Sequence, residues 1–489
     1  MRGFSTLEML IAMAILITAL SAVAPAAFGT QSMLGAGEMN AAALRKAQAL
    51  LEKEKSAARK DPRLLHAIPP ESDGTYETSV SVSDWQFDPY TTKRITARAA
   101  WTDEHKAGRD VVLTALVSDF RHADTGDTCD PFLSGDWAHP RIVSFDLNAL
   151  VATSSGAYQV SGVDAYRGKL YVTAVRTAYK TDPTFFIFDT ADPTHLRLLS
   201  ALDNDSASAL GPAGVAVSGR FAYLANTSRP ASAGQLQIFD VSDPSAPSLV
   251  KNFPLTGNGG AGASIFYTDG SAYLGLTKNG TNPEFAAVDV HDPARPALRG
   301  TYTVGASVEA IYVRNGYAYL ATDDPSRELI VLDVSDPSAP IYAGAYDAYD
   351  AGFGDGFGRS IYTVGDTLYL GRTYISGAPE LYALDISDLA SIPDPPLGSS
   401  DIGPNNANPY GVYGVIARDY LAFVLTKAGS GGQLRVLDVS DPKNIFSVAS
   451  STLPSASGGV SLDCEGNVMY AGSTDASNNG YLSVIGAGP

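Results

Sequence analysis

The sequence predicts a mainly β protein with one long N-terminal α-helix, a small antiparallel sheet after it, and a seven-bladed β-propeller in the remainder of the chain. Three observations lead there. An uncharged apolar run opens the chain, alternating strand-like segments follow, and from residue 141 onward one strand-rich unit recurs every 44–53 residues. Composition agrees. The 489 residues include 47 Gly and 29 Pro, which favours tight turns over long helices, and 45% are hydrophobic, too many for a disordered chain.

The helix comes first. Met9 to Gly29 carries no charge, and at 1.5 Å per residue this run spans roughly 30 Å, one hydrocarbon core. A secretory signal peptide with its cleavage region in Ala22–Ala27, or a plain signal anchor, would fit the apolar run alone. Neither accounts for Glu8. A carboxylate at the head of a membrane span costs several kcal/mol unless something pairs it. Downstream, Met33, Leu34, Ala42, Leu44, Ala47, Leu50 and Leu51 interleave with Glu38, Arg45, Lys46, Glu52 and Lys53 at helical period, and Asp61-Pro62 closes the run.

The stretch Gly3-Phe4-Ser5-Thr6-Leu7-Glu8-Met9-Leu10-Ile11 resembles the prepilin signature of type IV pilins and type II secretion pseudopilins. The match is a short basic leader ending in Gly3, a phenylalanine next, a glutamate at the fifth mature position and an apolar helix, with Pro25 where many pilins bend. The resemblance implies cleavage after Gly3 by a prepilin peptidase, N-methylation of Phe4, and Glu8 as the assembly carboxylate for a neighbour's terminal amine. It also implies an inner-membrane assembly platform and other pilin or pseudopilin subunits as partners. The expected organisation is a leader over 1–3, a membrane and assembly helix over 4–60, a pilin-like sheet over 61–124, a linker over 125–140 and the propeller over 141–489.

The sheet rests on Tyr76–Phe87, Lys93–Trp101 and Arg109–Phe120, which alternate or are rich in β-branched residues between polar turns. Three strands alone are marginal, so their apolar face is expected on the second half of the helix. Thr125–Pro140 reads as linker.

The recurring unit is a hairpin, an apolar strand, Asp-x-x-Asp-Pro, and a further strand. Ile238–Pro244 (IFDVSDP), Ala287–Pro293 (AVDVHDP), Val331–Pro337 and Val436–Pro442 (both VLDVSDP) are clear copies, and Ile187–Pro193 is a variant. Ala383–Leu389 lacks the proline, and the last unit lacks the motif. Hairpin tips such as Arg167-Gly168, Asp269-Gly270 and Asn315-Gly316 supply the positive φ that two-residue turns need. Seven hairpins and seven third strands can be placed, but only six fourth strands. Arg141–Leu147 is the spare strand that would complete the seventh blade and remove an exposed edge. The units resemble the LVIVD repeat of surface propellers, a resemblance that implies architecture and no defined chemistry.

No catalytic, metal or cofactor site is expected. The tandem aspartates Asp240/Asp243 and Asp333/Asp336 read as turn-capping groups rather than calcium ligands, because a residue repeated in every blade serves blade geometry. The recurrent Tyr171, Tyr223, Tyr273, Tyr319, Tyr369, Phe423 and Tyr470 read as inter-blade packing. Gly257–Gly262 fits Gly-x-Gly-x-x-Gly but no helix follows it, and the six histidines are scattered. Of the net charge of −18, all but −2 falls from Thr128 onward, a surface that repels nucleic acid.

Two loops are candidate ligand-binding segments. One carries Asp347, Tyr349, Asp350, Phe353, Asp355 and Phe357; the other carries Asn405, Asn406, Asn408 and Tyr410. Aromatic and amide groups suit a surface glycan or a protein. Cys129 and Cys464, the only cysteines, are expected to pair and staple the ring. The expectation is a non-enzymatic minor or tip pilin, held in the cytoplasmic membrane with its bulk outside, then moved to the cell surface for adhesion or partner binding. A membrane-anchored sensor or enzyme that never polymerises, and a type II secretion pseudopilin, are the alternatives.

Overall fold

The computed structural model describes residues 34–60, 68–85, 88–102 and 106–118, and 128–488 apart from 130–132, 152–157, 177–182, 204–210, 228–233, 256–259, 349–355, 376, 403–410, 427–431 and 454–457. The chain divides into two compact units, residues 1–119 and 120–489.

In the first unit, helix α1 (Leu34–Lys60) packs on a meander of β1 (Ile68–Ser72), β2 (Tyr76–Trp85), β3 (Asp88–Thr102) and β4 (Gly108–Ser118). Ala43 and Ala47, one turn apart, are fully buried and let the helix approach Tyr76, Ala99 and Trp101 closely. Leu50 and Leu51 meet Val80, Ile95 and Ala97 one layer further along. Tyr76 donates its hydroxyl to the Met39 carbonyl at 3.3 Å, and Lys46 pairs with Asp73 at 2.7 Å. The sheet has one strand more than expected. β1 contains Pro69-Pro70 and lies at the edge, where a missing N–H goes unmissed. Among the described residues no helix is long and apolar enough to cross a membrane. The expected helix over 4–33, with Phe4, Glu8 and Pro25, and the leader ending in Gly3 lie outside the described residues.

The second unit is a seven-bladed propeller. Blades 1 to 6 are four-stranded antiparallel sheets whose strands run in order from inside to outside, and blade 7 has five strands. The seven inner strands are Tyr158–Ala165, Pro212–Ser218, Gly262–Thr268, Val308–Arg314, Gly358–Val364, Val412–Arg418 and Gly458–Gly466. Each touches the next, and the last touches the first, so the ring is closed. Strand β6 (Asp136–Asp146) supplies the outer strand of blade 7, pairing Tyr481 with Asp146 through Gly486 with Arg141. The spare strand of the sequence thus fills the gap, beginning at Asp136 rather than at 141. The stretch expected to be a linker is partly strand: β5 (Thr128–Cys129) also adds to blade 7, parallel to Glu465–Gly466. Two hydrogen-bonded residues are too few to show as a pattern in sequence.

Clusters of buried side chains join adjacent blades. Tyr171 packs with Val215 and Phe239 of blade 2, Tyr223 with Leu274 of blade 3, and Tyr273 with Ile311 of blade 4. Burial pushes the Tyr171 and Tyr319 hydroxyls up to about 12, so these rings stay neutral. In blade 5, where leucine replaces the motif proline, a 3-10 turn at Leu389–Ser391 is capped by Asp388, whose side chain accepts from the Ala390 N–H.

Candidate functional site

The Asp-x-x-Asp-Pro loops serve the blade turns. Asp240 Oδ1 accepts from the Ser242 N–H, and Asp243 Oδ1 accepts from the N–H and hydroxyl of Ser245. Asp333 and Asp336 repeat this on Ser335 and Ser338. Those bonds hold the four carboxyls below the usual carboxylate range. Arg220, in the hairpin turn, clips Asp240, and Arg299, on the neighbouring fourth strand, clips Asp289. These oxygens are committed to local geometry.

The opposite end holds a different repeat, one that sequence reasoning missed. Just before the third strand of blades 2 to 6 stand Gln235, Glu284, Glu328, Glu380 and Gln433, none more than 5% exposed. Each side chain accepts a backbone N–H at the far end of the fourth strand, from Leu255, Val304, Ala348, Ile402 and Leu453 respectively, at 2.8–3.0 Å. The donor lies 20 to 22 residues downstream of the acceptor, too far to read as a local motif.

At blade 4 this tie is joined by an ion pair. Arg372, of blade 5, brings Nη2 to 3.1 Å from Glu328 Oε1, with both side chains almost wholly buried. Arg372 Nη1 also donates to the Ala348 carbonyl at 3.2 Å and the Tyr382 hydroxyl at 3.1 Å. A Cβ at Gly356 would run into the Arg372 guanidinium. Glu328 and Arg372 therefore pin the Ala348 end of the acidic-aromatic loop singled out in sequence, while Thr373 holds its Phe357 end. Desolvation pushes Glu328 up to about 7 against the pull of Arg372.

The axis itself carries a cavity of 470 Å³ lined by all seven inner strands. A β-bulge interrupts the pairing of strand 1 with strand 2 in every blade. The residues skipped by the register are Ser161, Ala213, Ala263, Glu309, Arg359, Tyr413 and Val460, and all seven line the cavity. A bulge re-aims a side chain; here it builds a ring at the axis. The ring is uneven. Blades 1 to 3 and 7 contribute small or aliphatic groups, whereas blades 4 to 6 contribute a continuous polar belt. Glu309 Oε2 lies 2.7 Å from Arg359 Nη1, and the Arg359 guanidinium lies 5.6 Å from the Tyr413 ring centroid and 5.9 Å from that of Phe357. Glu309 and Arg359 remain 29% and 22% exposed, so both face the cavity. Deeper, Phe266, Tyr312 and Tyr362 follow one another at 5.1 and 5.2 Å between ring centroids, with Arg418 5.3 Å over Tyr362.

At the other end of the axis Cys129 also lines the cavity and is bonded to Cys464 in a disulfide. The oxidised sulfurs leave no thiolate to ligate a metal with the adjacent Asp463. The two sequence candidates divide unevenly. Phe357 stands beside the belt, its N–H donating to Thr373 Oγ1 at 2.9 Å, and Asp347 is exposed next to the pinned Ala348. Tyr349, Asp350, Phe353, Asp355, Asn405, Asn406, Asn408 and Tyr410 lie outside the described residues. Glu309, Arg359 and Tyr413 went unnoticed in the sequence. The available signal was contrast: at one aligned position, three repeats carry large polar groups and the others carry small or aliphatic ones.

Residues 212–254 and 305–348 match the LVIVD repeat. The two segments coincide with blades 2 and 4. No curated protein matches this chain. Among solved structures, BamB from Moraxella catarrhalis is similar at 13% identity and a TM-score of 0.42, covering 71% of this chain and 98% of that one. A catalytically inactive virginiamycin B lyase from Staphylococcus aureus, with quinupristin, is similar at 10% identity and a TM-score of 0.47, over 71% of this chain and 99% of its own. A chain of a mitotic checkpoint complex is similar at 11% identity and a TM-score of 0.46, covering 74% and 94%.

Proposed function

We propose that this chain is a minor or tip subunit of a type IV pilin-like assembly. In this reading its N-terminal helix anchors it in the membrane, and its propeller is displayed outside the cell for adhesion or partner binding. The observation that carries the reading is Glu8 at the head of an uncharged 21-residue run, four residues after Phe4 of the Gly3-Phe4 pair. A lipid-facing carboxylate is costly unless a partner neutralises it, and a freshly cleaved terminal amine on a neighbouring subunit is such a partner. Two features support the reading. The first unit lays an apolar helix stripe on a small antiparallel sheet, and the Cys129–Cys464 disulfide suits an oxidising compartment outside the cytoplasm. The propeller has the bulk of the chain, and one on every subunit would crowd a filament wall, hence a sparse position.

Mass spectrometry of the mature protein tests this. The expected terminus is an N-methylated Phe4. A Glu8→Ala variant is expected to stay in the membrane and disappear from sheared surface fractions. A terminus elsewhere, or undiminished surface fibres in the variant, overturns the filament reading and leaves an anchored propeller.

A further inference from the structure

We propose that the axial cavity binds the terminal one or two residues of a neutral saccharide, with Glu309, Arg359 and Tyr413 as its recognition belt. The inference deepens the display reading by naming the ligand class, and rests on that reading only for what the binding is for.

Size comes first. The cavity of 470 Å³ falls within the span of about 300–1,000 Å³ usual for small-ligand sites. Its wall is rigid, since seven hydrogen-bonded inner strands form it, so little ordering opposes binding.

Charge then selects among ligands. Arg359 is already matched by Glu309 at 2.7 Å, so the belt is neutral as a unit. A strongly anionic ligand would also face Asp164 and Asp463, which line the same cavity; those two carboxylates are engaged by the Val217 and Ala165 N–H groups, so a cationic ligand would have to compete for them while facing Arg418. A purely apolar ligand would strip water from the ion pair and return no hydrogen bonds. A polyhydroxyl ligand meets both requirements. Its hydroxyls can donate to the carboxylate and accept from the guanidinium, while its C–H faces lie on the Tyr413, Tyr267 and Tyr312 rings that line the cavity.

The part of Arg359 that remains exposed, beside its ion pair with Glu309 and between two rings, is what a ligand in the cavity can reach. Its place in the bulge, where six other blades also turn a side chain to the axis, puts it on the wall of the cavity.

The test is calorimetric titration of the purified full-length chain in detergent with lactose, maltose, cellobiose and diacetylchitobiose. Sialyllactose and choline serve as anionic and cationic comparators. At least one neutral disaccharide is expected to bind saturably and in preference to both comparators. Arg359→Ala should weaken that binding about tenfold or more. Ala263→Trp, which fills the ring from blade 3 beside Glu309 without removing a belt group, should abolish it. Asp333→Ala at the other end of the blades should leave it unchanged. Each variant is checked by thermal melting, so that a misfolded one is recognised. Absence of saturable binding by every neutral disaccharide to the folded protein overturns the proposal. So does preference for sialyllactose or choline, or binding that survives Ala263→Trp. The assay needs no assembly, so a failed filament reading and a failed ligand reading give separate results.

Discussion

At one end of the propeller Asp240, Asp243, Asp333 and Asp336 sit at the surface, each accepting bonds from groups two residues away. At the other end Glu284, Glu328 and Glu380 sit out of water, each accepting from a backbone N–H 20 or 22 residues downstream. The surface aspartates are held in their charged form by what surrounds them. Glu328 is pushed the other way by burial, up to about 7. The same chemical group thus does two jobs, and exposure decides which. Carboxylates in water shape turns at small energetic stake, whereas buried ones fasten the end of a blade's fourth strand, in Glu328 also to the next blade through Arg372, and leave large penalties when a partner is lost.

The sharpest way to break that contrast is Arg372→Met, which leaves Glu328 buried without its cation. A loss of about 3–5 kcal/mol is expected in denaturant titrations of the propeller transition. The loss should be larger at pH 8 than at pH 5. Glu328 has a folded value of about 7 against 4.5 unfolded, so its protonated form is favoured by folding. Its contribution is present below 4.5 and is lost as pH rises through about 7. Glu328→Gln should flatten that limb. Equal losses at the two pH values would remove Glu328 from the account.

Next in size is the ring closure at the axis. The double change of Cys129→Ser and Cys464→Ser should cost about 2–5 kcal/mol, because the bond joins positions 335 residues apart. A melting curve unmoved by the substitutions or by reductant would mean that β6 closes the ring unaided.

The smallest effect is expected at the turns. Asp333→Ala removes one acceptor serving the Ser335 N–H and hydroxyl and should cost about 1 kcal/mol. Since its carboxyl sits below its usual range, that contribution exists above the unfolded value near 3.8 and fades only as pH falls below it. The two ends should therefore respond at different pH windows, the turns on acidification and the blade tie on approach to neutrality.

Local regularity explains what could be read along the chain. Asp-x-x-Asp-Pro spacing revealed the blades, and counting strands revealed that Arg141–Leu147 had to complete blade 7. Helical period placed α1, and recurrence of Tyr171, Tyr223 and Tyr273 placed the blade contacts. Each of these depends on residues close in sequence or on a repeat of fixed length. Strand β1 was not placed: its Pro69-Pro70 is compatible with a strand only at an edge, and edges are defined by neighbours. The Gln235 to Gln433 ties, the Glu328–Arg372 pair and the Glu309–Arg359–Tyr413 belt were invisible for a related reason. Their partners lie 20 to about 50 residues apart, and a bulge shifts each belt residue out of the plain alternation that period-2 reading assumes. Only closure of the ring brings seven such positions to one axis, and only then do an acid, a guanidinium and a phenol become a single surface.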